Sequence, residues 1–95
     1  MKKYELGVIL HPSLEEEVIK TETEQLTELI NRFGGIIEKV DSWGKKKLAY
    51  EIKKLKEGYY FFFTINAEET LPAEIESRIR IKENIIRFLL INKEN

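Results

Sequence analysis

The chain has 95 residues and a mass of 11.3 kDa, enough for one hydrophobic core and too little for two. Apolar residues at 42% and charged residues at 35% exclude a disordered chain, and the absence of cysteine removes disulfides, thiolate metal sites and a cysteine nucleophile. A formal net charge of −1 argues against a uniformly polyanion-binding protein, so the distribution of charge along the chain carries the information.

Tyr4 to Leu10 alternates Tyr4, Leu6, Val8 and Leu10 with Glu5, Gly7 and Ile9, the two-residue period of a strand with one buried face. His11-Pro12 stops it. Ser13 followed by Glu16 has the spacing of a capping box, and Leu14, Val18, Ile19, Leu26, Leu29, Ile30 and Phe33 then mark one helical stripe, closed by Gly34-Gly35. Ile36–Val40 and Leu48–Ile52 read as one long or interrupted strand, with a bulge or bend near Trp43-Gly44. Lys53–Gly58 reads as a polar turn, and Tyr59–Ala67 as a central strand buried on both faces. Thr70 and Pro72 open a second helix reaching about Lys82, with Leu71, Ile75 and Ile79 inward, and Ile85–Ile91 is the last strand.

This β-α-β, β-α-β order predicts an α+β protein with the ferredoxin-like split βαβ arrangement: a four-stranded antiparallel sheet, both helices on one face, forming a single domain over 1–95. The expected strand order is 4-1-3-2, with the charged second and fourth strands at the edges, where charges discourage promiscuous pairing. No stretch has the apolar length of a membrane span and residues 1–10 lack a signal peptide's cleavage pattern, so the expected location is the cytoplasm.

Ser13–Phe33 carries six acids against Lys20 and Arg32, net −4. Lys39–Lys56 carries seven lysines against Asp41 and Glu51, net +5, and Arg78–Phe88 adds +3. A polyanion therefore has one side to bind. Lys45-Lys46-Lys47, between Trp43 and Leu48-Ala49-Tyr50, has the make-up of a phosphate-contacting surface, which Lys53, Lys54, Lys56, Lys2 and Lys3 are expected to extend. Alternation places Leu48, Tyr50 and Ile52 on one face, Ile52 in the core, while Trp43 beside a glycine on an edge strand reads as an exposed interface anchor.

Enzymatic readings find little support. His11 is the lone histidine and reads as a solvated loop residue, and Glu15-Glu16-Glu17 point in different directions around a helix start. No phosphate-binding glycine loop or nucleophile elbow is present, and His11-Pro12-Ser13 lacks the cation and glycines of an acylphosphatase-like loop. Gly58-Tyr59-Tyr60-Phe61-Phe62-Phe63 is partly similar to the aromatic strand of RNA-recognition-motif domains. It departs at Glu57, Tyr60 and Thr64, which favours rings filling a central strand.

The run Gly44-Lys45-Lys46-Lys47-Leu48-Ala49-Tyr50-Glu51-Ile52-Lys53 closely resembles the signature of the bacterial small-subunit ribosomal protein S-six family: glycine, any residue, a basic or polar pair, Leu-Ala-Tyr, any residue, Ile, and a basic or small residue. Met1–Glu5, Gly34-Gly35, Gly58-Tyr59-Tyr60 and Ile86-Arg87 also sit where that family has them. The resemblance implies a non-enzymatic, cofactor-free protein with no small-molecule substrate. It further implies binding to ribosomal RNA of the small subunit's central domain (platform) together with ribosomal protein S-eighteen as a heterodimer. By position, Lys2, Lys3, Lys46, Lys47, Lys54, Arg80 and Arg87 are the expected phosphate contacts. The surface around Asp41, Trp43, Lys46, Lys47, Leu48 and Tyr50 is expected to meet S-eighteen, so Lys46 and Lys47 belong to both sets. Two other classes stay open: a single-strand RNA binder using exposed Tyr59 or Phe61 on the sheet, and a ligand-sensing regulatory domain with a pocket between subunits.

Overall fold

The computed structural model describes residues 1–93. Six elements follow one another: β1 (Lys2–Leu10), α1 (Glu16–Arg32), β2 (Ile36–Ile52), β3 (Leu55–Ala67), α2 (Leu71–Ile79) and β4 (Ile85–Asn92). The strands form one antiparallel sheet in the order β2-β3-β1-β4, so β2 and β4 are the edges as the element order predicts. Tyr4, Leu6, Val8 and Leu10 of β1 join Phe61, Phe63, Ile65 and Ala67 of β3 beneath Leu26 and Ile30 of α1 and Leu71, Ile75 and Ile79 of α2. The helices thus share one face, and the opposite face has no covering layer within the described residues.

The start of α1 differs from the capping-box expectation. Glu15 is the N-cap and makes no side-chain cap bond. The Ser13 hydroxyl instead lies 2.8 Å from His11 Nδ1, which also accepts the Ser13 backbone N–H, so it is engaged within its own loop. Glu16 and Glu17 fall in the first turn, where the helix dipole favours acids. Val18 lies off the core stripe and is exposed, while Glu22, one of the six acids counted above, is buried. Its carboxylate accepts hydrogen bonds from Lys82 Nζ at 3.1 Å and Asn84 Nδ2 at 3.0 Å. That network ties α1 to the α2–β4 connection, and α2 itself ends at Ile79 rather than Lys82. At the other end of α1, Gly34 takes φ +84° and Gly35 donates to the Ile30 carbonyl at 2.9 Å, closing the helix as the glycine pair predicts.

β2 is one continuous strand whose pairing with β3 breaks register at Ile37/Lys39, Ser42/Gly44 and Lys47/Ile52. The middle break is the bulge anticipated at Trp43-Gly44, with Gly44 at φ +75°. The turn is shorter than the sequence implies. Ile52 pairs with Leu55, so Lys53-Lys54 alone make it, with φ of 51° and 66°. A two-residue turn between twisted strands demands left-handed backbone at both central positions, and lysine does not advertise that conformation. β3 accordingly begins four residues before the expected Tyr59. Along it Phe61, Phe63, Ile65 and Ala67 are buried while Tyr60, Phe62, Thr64 and Asn66 are only half-buried, so the strand has one open face rather than two closed ones.

Pairing of β1 with β3 ends at Leu10–Tyr59, and the β2–β3 hairpin continues beyond it. Gly58 permits the close approach at this crossing. A Cβ there would stand 2.5 Å from Ile9 Cγ2 and 2.9 Å from the Leu10 carbonyl oxygen. Because a backbone atom is among the obstacles, Gly58→Ala is expected to lower stability by about 2 kcal/mol, the usual scale of overpacking. Urea unfolding measures it; a change within experimental error contradicts the tight crossing.

Candidate nucleic-acid interface

The topology sorts the cations to two ends of the sheet. Lys2 and Lys3 open β1 opposite Ala67 and Asn66 of β3, eight or so positions from the Leu10 end, a span of about 26 Å. They do not extend the hairpin's basic surface as expected from sequence. Lys2 Nζ lies 2.9 Å from Glu69 and Lys3 Nζ 3.3 Å from Glu38. A hydrogen bond from Asn66 and the Lys3 ammonium hold the Glu38 carboxyl below its ordinary range, and the Lys2 ammonium does the same for Glu69. Lys39–Asp41 at 3.6 Å, Lys82–Glu22 and Lys93–Glu5 at 3.5 Å complete the ion pairs among the described residues.

The hairpin end is different. Lys46, Lys47, Lys53, Lys54 and Lys56 are exposed and make no ion pair among the described residues, although Glu51 and Glu57 share the hairpin. Lys45 alone is engaged, 5.3 Å above the Tyr59 ring. The hairpin leans across the end of β1 toward the far edge: Tyr50 is hydrogen-bonded through its hydroxyl to the Arg87 guanidinium, which also lies 5.4 Å from the Tyr50 ring. Lys53, Arg80 and Arg87 consequently line one cleft. The structure thus brings Lys46, Lys47, Lys54, Arg80 and Arg87 to one end and leaves Lys2 and Lys3 at the other.

The helix-free face carries the second candidate surface. Trp43, 56% exposed, packs its ring 4.5 Å from that of Phe62 and 6.5 Å from that of Tyr60. Leu89 and Ile91 of β4 are exposed on the same face, opposite Gly7 and Glu5 of β1. Where Gly7 lacks a side chain, Ile9, Tyr60, Phe62 and Leu89 enclose a shallow apolar cleft of about 180 Å³. Asp41, opposite Phe62, and exposed Tyr50 border this surface, while Leu48 and Ile52 are half-buried in the hairpin, Ile52 outside the core cluster. The sequence reading left Tyr59 and Phe61 open as possible stacking rings. Both lie toward the helices, Phe61 buried and Tyr59 packed on the core, so the open-face rings are Tyr60 and Phe62. The Trp43 bulge was the signal that could have fixed this register.

A ferredoxin-like α+β domain with an open aromatic sheet face and a cationic hairpin is the class these features define. The sequence matches the family model described as Ribosomal protein S6 over residues 3–92. It is 50% identical over 94 residues to the small ribosomal subunit protein bS6 of Clostridium kluyveri, covering 99% of each chain. The bS6 protein of Clostridium botulinum is 44% identical over 94 residues, covering 99% of this chain and all of its own. The crystal structure of 30S ribosomal protein S6 from Thermotoga maritima superposes with a TM-score of 0.93 at 31% identity, covering 97% of this chain and 87% of that one. The chain belongs to the ribosomal protein S6 family, a structural protein of the small ribosomal subunit and not an enzyme. No helix among the described residues is long and apolar enough to cross a membrane.

Proposed function

We propose that this protein binds ribosomal RNA of the small subunit's central domain, the platform, and does so as a heterodimer with ribosomal protein S-eighteen in the cytoplasmic ribosome. The observation that carries the RNA half is the sorting of the lysines. A cation already paired with a carboxylate gains little from a phosphate, whereas unpaired exposed cations gathered at one end gain affinity through counterion release. Lys46, Lys47, Lys54, Arg80 and Arg87 are the principal phosphate contacts on this reading. Lys2 and Lys3 contribute by exchanging Glu69 and Glu38 for phosphate.

The partner half rests on the open face. A half-exposed tryptophan on an edge strand, backed by two rings and with Asp41, Leu48 and Tyr50 on the same strand, has the composition of an interface anchor with a polar rim. Lys46 and Lys47 adjoin it and serve whichever surface reaches them. Trp43→Ala is expected to weaken the complex with S-eighteen by at least about thirtyfold, the scale of an interface hot spot, with little change in the protein's own unfolding. Calorimetric titration of the two purified proteins reads this directly. Undiminished affinity removes the second-strand edge from the interface.

A further inference from the structure

The cleft between the hairpin tip and the α2–β4 corner contains Lys53, the last position of the family signature, which the basic-position matches leave out of the expected phosphate contacts. Lys53 lines it together with Arg80 and Arg87, over a floor of Ile79, Ile85 and Ile86, in a volume of about 290 Å³. We propose that this cleft is a clamp for one backbone phosphate of RNA, with Lys53 as the third ligand. The inference rests on the RNA-binding reading above and adds a site to it.

Four features support it. The cleft lining holds three cations and no carboxylate. Like charges brought together repel, and an entering anion converts that repulsion into attraction. Lys53 and Lys54 both sit at positive φ, a conformation that is unfavourable for lysine and that Asn-Gly would supply without strain. Two lysines in left-handed backbone at the turn facing Arg80 and Arg87 are a strained arrangement of the kind found at functional sites. Arg87 is held against Tyr50 by its hydrogen bond and by the ring, which restricts where its remaining donors point. Finally, the cleft opens beside exposed Lys54, so a phosphate in it belongs to a chain whose neighbouring phosphates meet further cations.

The test uses the full-length protein with S-eighteen and central-domain RNA in a salt series. Lys53→Asn removes the charge while suiting left-handed backbone, so folding is retained and checked by thermal unfolding. It is expected to weaken binding severalfold while changing the slope of log affinity against log salt little, because Arg80 and Arg87 still neutralise the phosphate. The triple change Lys53→Asn, Arg80→Gln, Arg87→Gln is expected to reduce the slope by about one, because all three hold the same phosphate. Lys20→Gln on the acidic helix leaves both affinity and slope unchanged. An affinity unaltered by Lys53→Asn, a slope loss near three for the triple change, or an equal effect of Lys20→Gln overturns the clamp. Replacing chloride by inorganic phosphate at equal ionic strength is expected to leave RNA affinity unchanged; strong competition assigns the cleft to free phosphate instead. Failure of the unaltered protein to bind RNA with S-eighteen present overturns the underlying function as well, which separates the two.

Discussion

Charge reversal of Lys46, Lys47 and Lys54 to glutamate is expected to lower affinity for central-domain RNA, with S-eighteen present, by two to three orders of magnitude at about 0.1 M salt. Each phosphate contact contributes a counterion-release factor of roughly eightfold at that salt, and three together give about five hundredfold. The salt dependence flattens at the same time, since fewer ions are released. These three lysines are suitable targets because they are exposed, form no ion pair among the described residues and lie outside the core. Glu15→Gln, Glu16→Gln and Glu17→Gln on the first turn of α1 serve as the matched set, expected to leave affinity unchanged. Equal losses from both sets contradict the map, and a loss confined to the S-eighteen titration assigns Lys46 and Lys47 to the protein partner.

Phe63→Ala is expected to cost about 4 kcal/mol of folding stability, the range for deleting a buried phenyl ring. Phe63 is fully buried on β3 between Leu6 of β1 and Val40 of β2, and it is the largest of the fully buried side chains. Against a typical total of about 5–15 kcal/mol, such a loss leaves a marginal protein. Its neighbour Phe62 points to the open face and is half-buried, so Phe62→Ala is expected to cost markedly less. Chemical unfolding of both variants tests the register: equal costs contradict the assignment of β3's faces.

That register marks where the sequence stops being readable. β1 was legible because polar and apolar residues alternate, and the edge strands because Gly44 and the lysines interrupt β2. In β3 every position from Tyr59 to Phe63 is aromatic, so alternation carries no signal and the buried rings are chosen by pairing with β1. Ser13 and Glu16 satisfied the capping-box spacing, yet His11, two residues upstream, bonds the serine. Glu22 was indistinguishable from the solvated acids beside it because its partners, Lys82 and Asn84, lie some sixty residues on. The candidate site was legible as a list of cations and one tryptophan. It was not legible as an arrangement, since the two-lysine turn that brings Lys53 to Arg80 and the Tyr50–Arg87 contact across the sheet exist only after the hairpin leans over the end of β1.

The central claim is that the hairpin-end cations and a protein partner together make an RNA-binding surface that this protein lacks alone. A salt-series binding measurement with central-domain RNA, run with and without S-eighteen, tests it most directly. The expected result is tight, salt-sensitive binding only with the partner, since a chain of net charge −1 has little affinity for RNA by itself. Tight binding of short single strands without any partner contradicts the account and transfers the site to Trp43, Tyr60 and Phe62 on the open sheet.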